Sequence, residues 1–270
     1  MNSSAESREA FEVELALLAA STESLTATLA GLSESDIPAQ SLLPGWSRGH
    51  VLSHVARNAD GILNLITWAR TATPTPMYES LESRGADIDA GSGRTMEVIR
   101  ADVVSSAGRL SEVLEAVLAL DDHELAPLLR RLVQFGAPRP EAPDIAFSLV
   151  PLLRRREVEV HHVDLALSYG PNDWPLDFVV TNLSLISARV LARAGNGPSN
   201  SAVSSLISTA DRTGDLEDSR SADFWPISNG AGRALHGSNP EMLAWLLGRG
   251  AGPSLRMSHE APIPDPPPWS

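Results

Sequence analysis

Cysteine and lysine are both absent from the 270 residues. Without cysteine there is no disulfide, no thiolate metal ligand and no protein thiol to act as a nucleophile. Any metal must therefore be held by histidine and carboxylate, and any thiol chemistry needs a thiol that arrives as cosubstrate. Without lysine there is no Schiff-base chemistry, and every basic residue is arginine. Positive charge is scarce altogether, since 21 basic side chains face 34 acidic ones, for a net charge of −13 and a pI near 4.9. That balance argues against nucleic acid or an anionic membrane surface as a partner. No apolar run approaches the ~20 residues of a membrane span, and the first residues, MNSSAESREAFEVE, are polar and acidic, unlike a signal peptide. A soluble cytoplasmic protein is expected. Internal repeats, a glycine-rich phosphate loop and a G-x-S-x-G elbow are missing too, which weakens kinase, dehydrogenase and serine-hydrolase readings.

What is present suits a globular chain. Hydrophobic residues make up 43% and charged residues 20%, and the length allows one large domain or two smaller ones with their own cores. Residues 9–32 carry Phe11, Leu15, Leu18, Leu25 and Leu29 at heptad-like spacing, a helix with one buried stripe. A second helix is expected over 47–70, with Ser47 as N-cap and Val51, Val55, Ile62 and Ile66 facing inward. A third, over 94–120, buries Met96, Ile99, Val103, Leu110, Val113 and Val117. Between these two lies a turn-rich segment that reads as a connector or as a carrier of binding residues. Prolines 138, 140 and 143 stop any helix in the loop that follows, and a fourth helix runs over 150–168. Four such helices make a bundle, a common place for metal sites.

The character changes at GPNDWP, just after Tyr169. A helix over 175–194, short β-prone pieces at 203–209, 222–227 and 233–236, and a last helix over 239–249 suggest a small α/β domain. Residues 211–223 read as a polar mobile loop, and the tail PIPDPPPWS as extended or disordered. The expected fold class is α+β: a helical bundle over 1–170, a small α/β domain over 171–262, and a proline-rich tail over 263–270.

The fourth helix holds the misfit. At ~100° per residue one of its faces collects Val150, Leu153, Glu157, Val160, His161, Asp164 and Ser168. Its apolar members imply burial, yet burying a carboxylate and an imidazole is costly unless something compensates. Glu157 and His161, one turn apart, can reach a single point, and a divalent cation there would remove the conflict. The alternative is a pairing of Glu157 with the adjacent arginines 154–156, with His161 an ordinary partly buried histidine. On the second helix, His54 at the edge of the apolar face and Asn58 within it leave the same choice open.

The segments GWSRGHVLSHVARNAD (45–60), TPMYES (75–80), RGADIDAGSGR (84–94) and REVEVHHVDL (156–165) together resemble the mycothiol-dependent maleylpyruvate isomerase family, whose DinB-like metal-binding four-helix bundle is followed by a small C-terminal α/β domain. The likeness is dense from Leu43 to Leu165 and thinner beyond, where PEMLAWLLGR (240–249) is the best match. The resemblance implies metal ligands at His54, Glu157 and His161. By helical phase, His50 and His162 point away from that face and are read as solvated or outer-shell residues. Two histidines and one glutamate with a fourth position open form a ligand set expected of catalytic zinc, Zn2+. The resemblance further implies mycothiol as thiol cosubstrate, maleylpyruvate as substrate, and reversible thiolate addition to the cis double bond, giving fumarylpyruvate. Arg57, Asn58, Tyr78 and Arg84 lie in matched segments and are candidates for binding cosubstrate and substrate; Asp60 is a further pocket candidate. Arg249 is the candidate catalytic arginine of the C-terminal domain, with a cation at a helix C-terminus as its plainer reading and Arg233 as the fallback. Asp164 either orients the His161 ring or forms a structural ion pair. A monomer is expected, with no nucleic-acid or membrane partner. Two other readings stand beside the isomerase: another mycothiol-dependent S-transferase acting in detoxification, and a non-catalytic metal-binding module.

Overall fold

The computed structural model describes residues 3–138, 143–194, 227–228, 234–257, 262–263 and 265–266. The expected strand at 203–209, most of that at 222–227, the 211–223 loop, Arg233 and most of the proline-rich tail lie outside those residues. The chain divides into two compact units, Met1–Leu167 and Ser168–Ser270. No helix of the described residues is long and apolar enough to cross a membrane.

The first unit is built on four long helices. Helix α1 spans Ser3–Ala30, α2 Arg48–Thr71, α4 Met96–Leu118 and α6 Val150–Asp164; the shorter α3, Leu81–Ser92, and α5, Asp122–Leu129, lie between them. Each long helix packs on two others: α1 on α4 and α6, α2 on α4 and α6. The expected stripes form the core. Phe11, Leu18, Leu25 and Leu29 meet Val51, Val55, Ile62 and Ile66, together with Met96, Ile99, Val103, Leu110 and Val117. Burying such side chains drives the packing, at ~25 cal/mol per Å² of apolar surface removed from water. Ser47 caps α2 as expected, its hydroxyl accepting from the His50 backbone N–H.

Two elements differ from expectation. The segment between the second and third expected helices is not a plain connector, because 81–92 forms α3, capped by Ser80, whose side chain accepts from the Ser83 backbone N–H. Two strands flank the proline-containing segment where none was expected: β1, Leu132–Gln134, pairs antiparallel with β2, Asp144–Ala146. Helix α3 lies against α2 at small residues: a Cβ on Gly49 would stand 2.1 Å from the Ser92 carbonyl oxygen, and one on Gly91 2.6 Å from Ser53 Oγ. This close approach fixes where α3 presents Arg84.

The second unit is α/β. Helix α7, Leu176–Ala194, packs on α8, Asn239–Leu246. Strands β3, Ile227–Ser228, β4, Ala234–His236, and β5, Arg256–Met257, form an antiparallel sheet in that order. Trp245 is buried within this unit, and the Trp174 and Phe178 rings pack 5.6 Å apart.

Candidate metal centre

Helices α2 and α6 bring three polar side chains to one point. His54 comes from the second turn of α2, and Glu157 and His161 come from successive turns of α6. One ligand atom from each lies within 4.8 Å of the other two. Glu157 Oε2 stands 3.0 Å from His54 Nε2 and 3.6 Å from His161 Nε2. The two imidazoles meet edge to face, 4.5 Å between centroids, and Trp46 closes on His54 from the side. Side-chain exposure rises from 3% at His54 to 13% at His161 and 22% at Glu157, so the cluster sits in the core wall and opens on the Glu157 side.

The residues around the three set their protonation. Burial and the charge of His161 push His54 down to about 4, against its hydrogen bond to Glu157, so His54 is neutral near pH 7. Burial works against the cation at His161 as well, but hydrogen bonds to Asp164 and Glu157 overcome it and raise its pKa. Burial would raise Glu157, yet the two imidazoles outweigh it and hold the carboxyl well below its ordinary range. An ionised carboxylate and two imidazoles shifted in opposite directions thus share one buried spot.

Asp164 is fully buried, and its carboxylate accepts from His161 Nδ1 at 2.8 Å. That bond fixes the proton on Nδ1 and turns Nε2 toward Glu157, the orientation in which an imidazole serves a metal. The three donors fit a divalent cation: two imidazole nitrogens and a carboxylate oxygen converge, and a carboxylate stands behind one imidazole. A dication would replace the acidic protons that now hold the cluster together.

Arg84 also reaches the cluster. Its Nη2 donates to His54 Nδ1 at 3.0 Å, and the guanidinium lies over the Tyr78 ring, 5.6 Å from the centroid. Burial and the Glu157 charge raise the Tyr78 pKa, and its buried hydroxyl has no well-formed hydrogen bond. The loop carrying Tyr78 is pinned by Asn64, which donates to the Pro76 and Met77 carbonyls, and by Met77, whose sulfur accepts from Gly136.

Other candidates are occupied. Arg57 pairs with Asp102 at 2.6 Å and Asp60 at 2.9 Å, and Asp60 also binds Arg109. The Asn58 side-chain oxygen accepts from Arg154, which donates to the Val55 carbonyl as well. Arg154 does not pair with Glu157 along the helix; it is buried against α2, and burial pushes it down to about 10. It is the residue whose place local spacing misses, because its partners lie on another helix. His50 is partly buried and bonded to the Ser47 hydroxyl at α2's first turn. His162, read as a solvated or outer-shell residue, points away from the cluster but is not solvated: it is buried toward α1, its Nε2 2.8 Å from Thr28 Oγ1. Arg249 follows α8 and donates to the Leu247 carbonyl, an interaction of a cation with a helix C-terminus.

Comparisons with known proteins point one way. Two crystal structures of the mycothiol-dependent maleylpyruvate isomerase match over 96% of this chain and 97% of theirs. The first is 26% identical with a TM-score of 0.76; the second, a histidine-to-alanine mutant, is 25% identical with a TM-score of 0.75. No curated protein matches the chain. The sequence profile described as the mycothiol maleylpyruvate isomerase N-terminal domain matches residues 18–166, the stretch that holds all three converging side chains, and the chain belongs to that family.

Proposed function

We propose that this protein is a divalent-metal-dependent isomerase that uses mycothiol to convert maleylpyruvate to fumarylpyruvate. The observation that carries the reading is the convergence of His54, Glu157 and His161 with Asp164 behind His161, in a chain that matches the isomerase structures end to end. His54, Glu157 and His161 hold the metal, with zinc favoured by the donor set. Bound there, a dication lowers the pKa of a thiol enough to deprotonate it near neutral pH.

The reaction then needs little from the protein beyond binding and charge stabilisation. The mycothiol sulfur forms a bond to one carbon of the cis double bond, and the π pair moves through the chain onto the ketone oxygen as an enolate. The former double bond, now single, rotates. The enolate pair returns, the C–S bond breaks and the trans alkene forms with the thiolate restored. Negative charge peaks on the enolate, where a pre-placed donor contributes most. Arg84 and the Tyr78 hydroxyl are the donors at the cluster suited to that charge or to a substrate carboxylate, arginine offering a planar two-pronged fork. Asn58 and Arg57 support the pocket wall through Arg154 and through Asp60 and Asp102. Arg249 is the C-terminal unit's contribution to this proposal, on the strength of the family resemblance.

The test is incubation of metal-loaded protein with maleylpyruvate and mycothiol, following loss of the cis-enone. Turnover is expected with both thiol and metal and with neither alone, and Glu157→Gln lowers both bound metal and rate at least 100-fold. Absence of isomerisation in the loaded protein overturns the proposal; thiol consumption with other electrophiles would then mark an S-transferase.

A further inference from the structure

The three converging side chains come from two helices, so the axial register of α2 against α6 decides whether they meet. Successive residues of a helix rise about 1.5 Å, and zinc bonds to nitrogen and oxygen measure about 2.0–2.2 Å. A slip of one residue would carry Glu157 and His161 out of reach of a cation held by His54. Apolar packing sets such a register weakly, because the hydrophobic effect is non-directional. Hydrogen bonds between the helices set it sharply, and two arginines make them from opposite ends.

Arg48 is the first residue of α2 and reaches the end of α6. Its Nε donates to the Leu165 carbonyl at 2.7 Å and its Nη2 to the Ala166 carbonyl at 3.0 Å, while Nη1 binds Asp36. The chain needs that hold, since Ala166 stands at φ 54°, a left-handed conformation that a Cβ disfavours. Arg154 works the other way. It leaves α6 one turn before Glu157 and is 2% exposed. Its Nη1 donates to the Val55 carbonyl at 3.0 Å and to Asn58 Oδ1 at 2.8 Å, both on α2. A charged group this deeply buried keeps its place only where acceptors meet it, and both acceptors belong to the facing helix. His54 thus lies between Arg48 and the residues that Arg154 holds. Glu157 and His161 lie between Arg154 and the residues that Arg48 holds.

We propose that Arg48 and Arg154 form a reciprocal clamp that fixes the register of α2 against α6 and so preorganises His54, Glu157 and His161 for the metal. The inference rests on the metal reading above and adds two positioning residues, which act on the ligands through the helices that carry them. Arginine suits the task, because its planar fork bonds several acceptors in fixed directions. Arg100 makes the same kind of bond elsewhere: its Nε and Nη2 donate to the Leu29 carbonyl, and Nη2 also to that of Leu32, at the end of α1. It ties α4 to α1, neither of which carries a ligand, and so separates register at the site from cohesion of the bundle.

The experiment compares full-length wild type with Arg48→Met, Arg154→Met and, as the control, Arg100→Met. Zinc affinity is measured by chelator competition well below each melting temperature, and coordination is read from the visible absorption of the cobalt-substituted proteins. Arg48→Met and Arg154→Met each bind zinc about 10- to 100-fold more weakly than wild type, with altered cobalt spectra and with Arg48→Lys in between. Arg100→Met melts at a lower temperature, yet binds zinc within about twofold of wild type and keeps its cobalt spectrum. If Arg154→Met does not fold, Arg48→Met, at a side chain 14% exposed, decides alone. Wild-type zinc affinity in Arg48→Met, or an equal loss in Arg100→Met, overturns the clamp while leaving the metal site standing. Wild-type protein that binds no zinc overturns the metal reading and the clamp with it.

Discussion

His54 and His161 share a carboxylate yet lie on opposite sides of their ordinary pKa, because burial prevails at His54 while hydrogen bonds to Asp164 and Glu157 overcome it at His161. Against burial, the Asp164 carboxylate raises His161; burial first, then the charge of His161 and least of all Arg84, depress His54 to about 4. These shifts give the metal-free protein a defined acid response. Unfolded His54 takes a proton below about 6.5, while the folded residue refuses it until about 4, so lowering the pH stabilises the unfolded chain relative to the folded one. His161, with its raised folded value, contributes stability that is complete below 6.5 and is lost only as pH rises through that higher value. Glu157 is depressed from 4.5, so its contribution starts to fade only below that point. Among these three residues the slope between pH 6.5 and 4.5 therefore belongs to His54, and its share amounts to about 2 to 3 kcal/mol. Denaturant titrations of metal-free wild type and His54→Gln across this window check it: the wild type loses stability toward pH 4.5 and the variant stays flat. A flat wild-type profile would show that His54 titrates normally.

The element that brings Arg84 to the cluster is α3, and its place depends on glycine. Gly91 faces Ser53 of α2, where a Cβ would stand 2.6 Å from the hydroxyl and 2.9 Å from Ser53 Cβ, whereas Gly85 in the same helix has nothing within 4 Å. The same substitution should thus act with opposite signs. Gly91→Ala forces α3 away from α2 and costs about 1–3 kcal/mol, while Gly85→Ala, relieved of glycine's helix penalty, gains roughly 0.5–1 kcal/mol. Melting temperatures of the two variants decide this, and equal effects would mean that α3 does not pack closely. Helix α3 is also the element least visible in the sequence. Its buried residues are Ile88 and Gly91, too few to make a period, and Gly85, Gly91 and Ser92 read as turn formers. The long helices are legible because a stripe such as Phe11, Leu18, Leu25 and Leu29 repeats over many turns. The hairpin is hidden, since three-residue strands hold no alternation to count. At the site, His54, Glu157 and His161 stand out as polar misfits on apolar faces. Arg154 does not, because its carbonyl and amide partners on α2 leave no mark in the spacing of its own helix.

At the scale of the whole molecule, all three converging ligands, Asp164 behind them and Arg84 beside them belong to the Met1–Leu167 unit. The C-terminal unit has a hydrophobic interior of its own around Trp245, Leu243 and Phe178. A metal that binds only the folded bundle stabilises it by mass action, by about 3 kcal/mol when free metal exceeds the dissociation constant 100-fold. For a unit of this size that raises the melting midpoint by roughly 5 to 10 °C. Calorimetry of the full chain should therefore show one transition that moves with added zinc and falls back with chelator, and a second that does not. His54→Ala should abolish the movement without touching the second transition. If zinc shifted both transitions equally, or if His54→Ala kept the shift, the stabilising metal would lie outside the α2–α6 cluster, and the chemistry assigned to that cluster would lose its foundation.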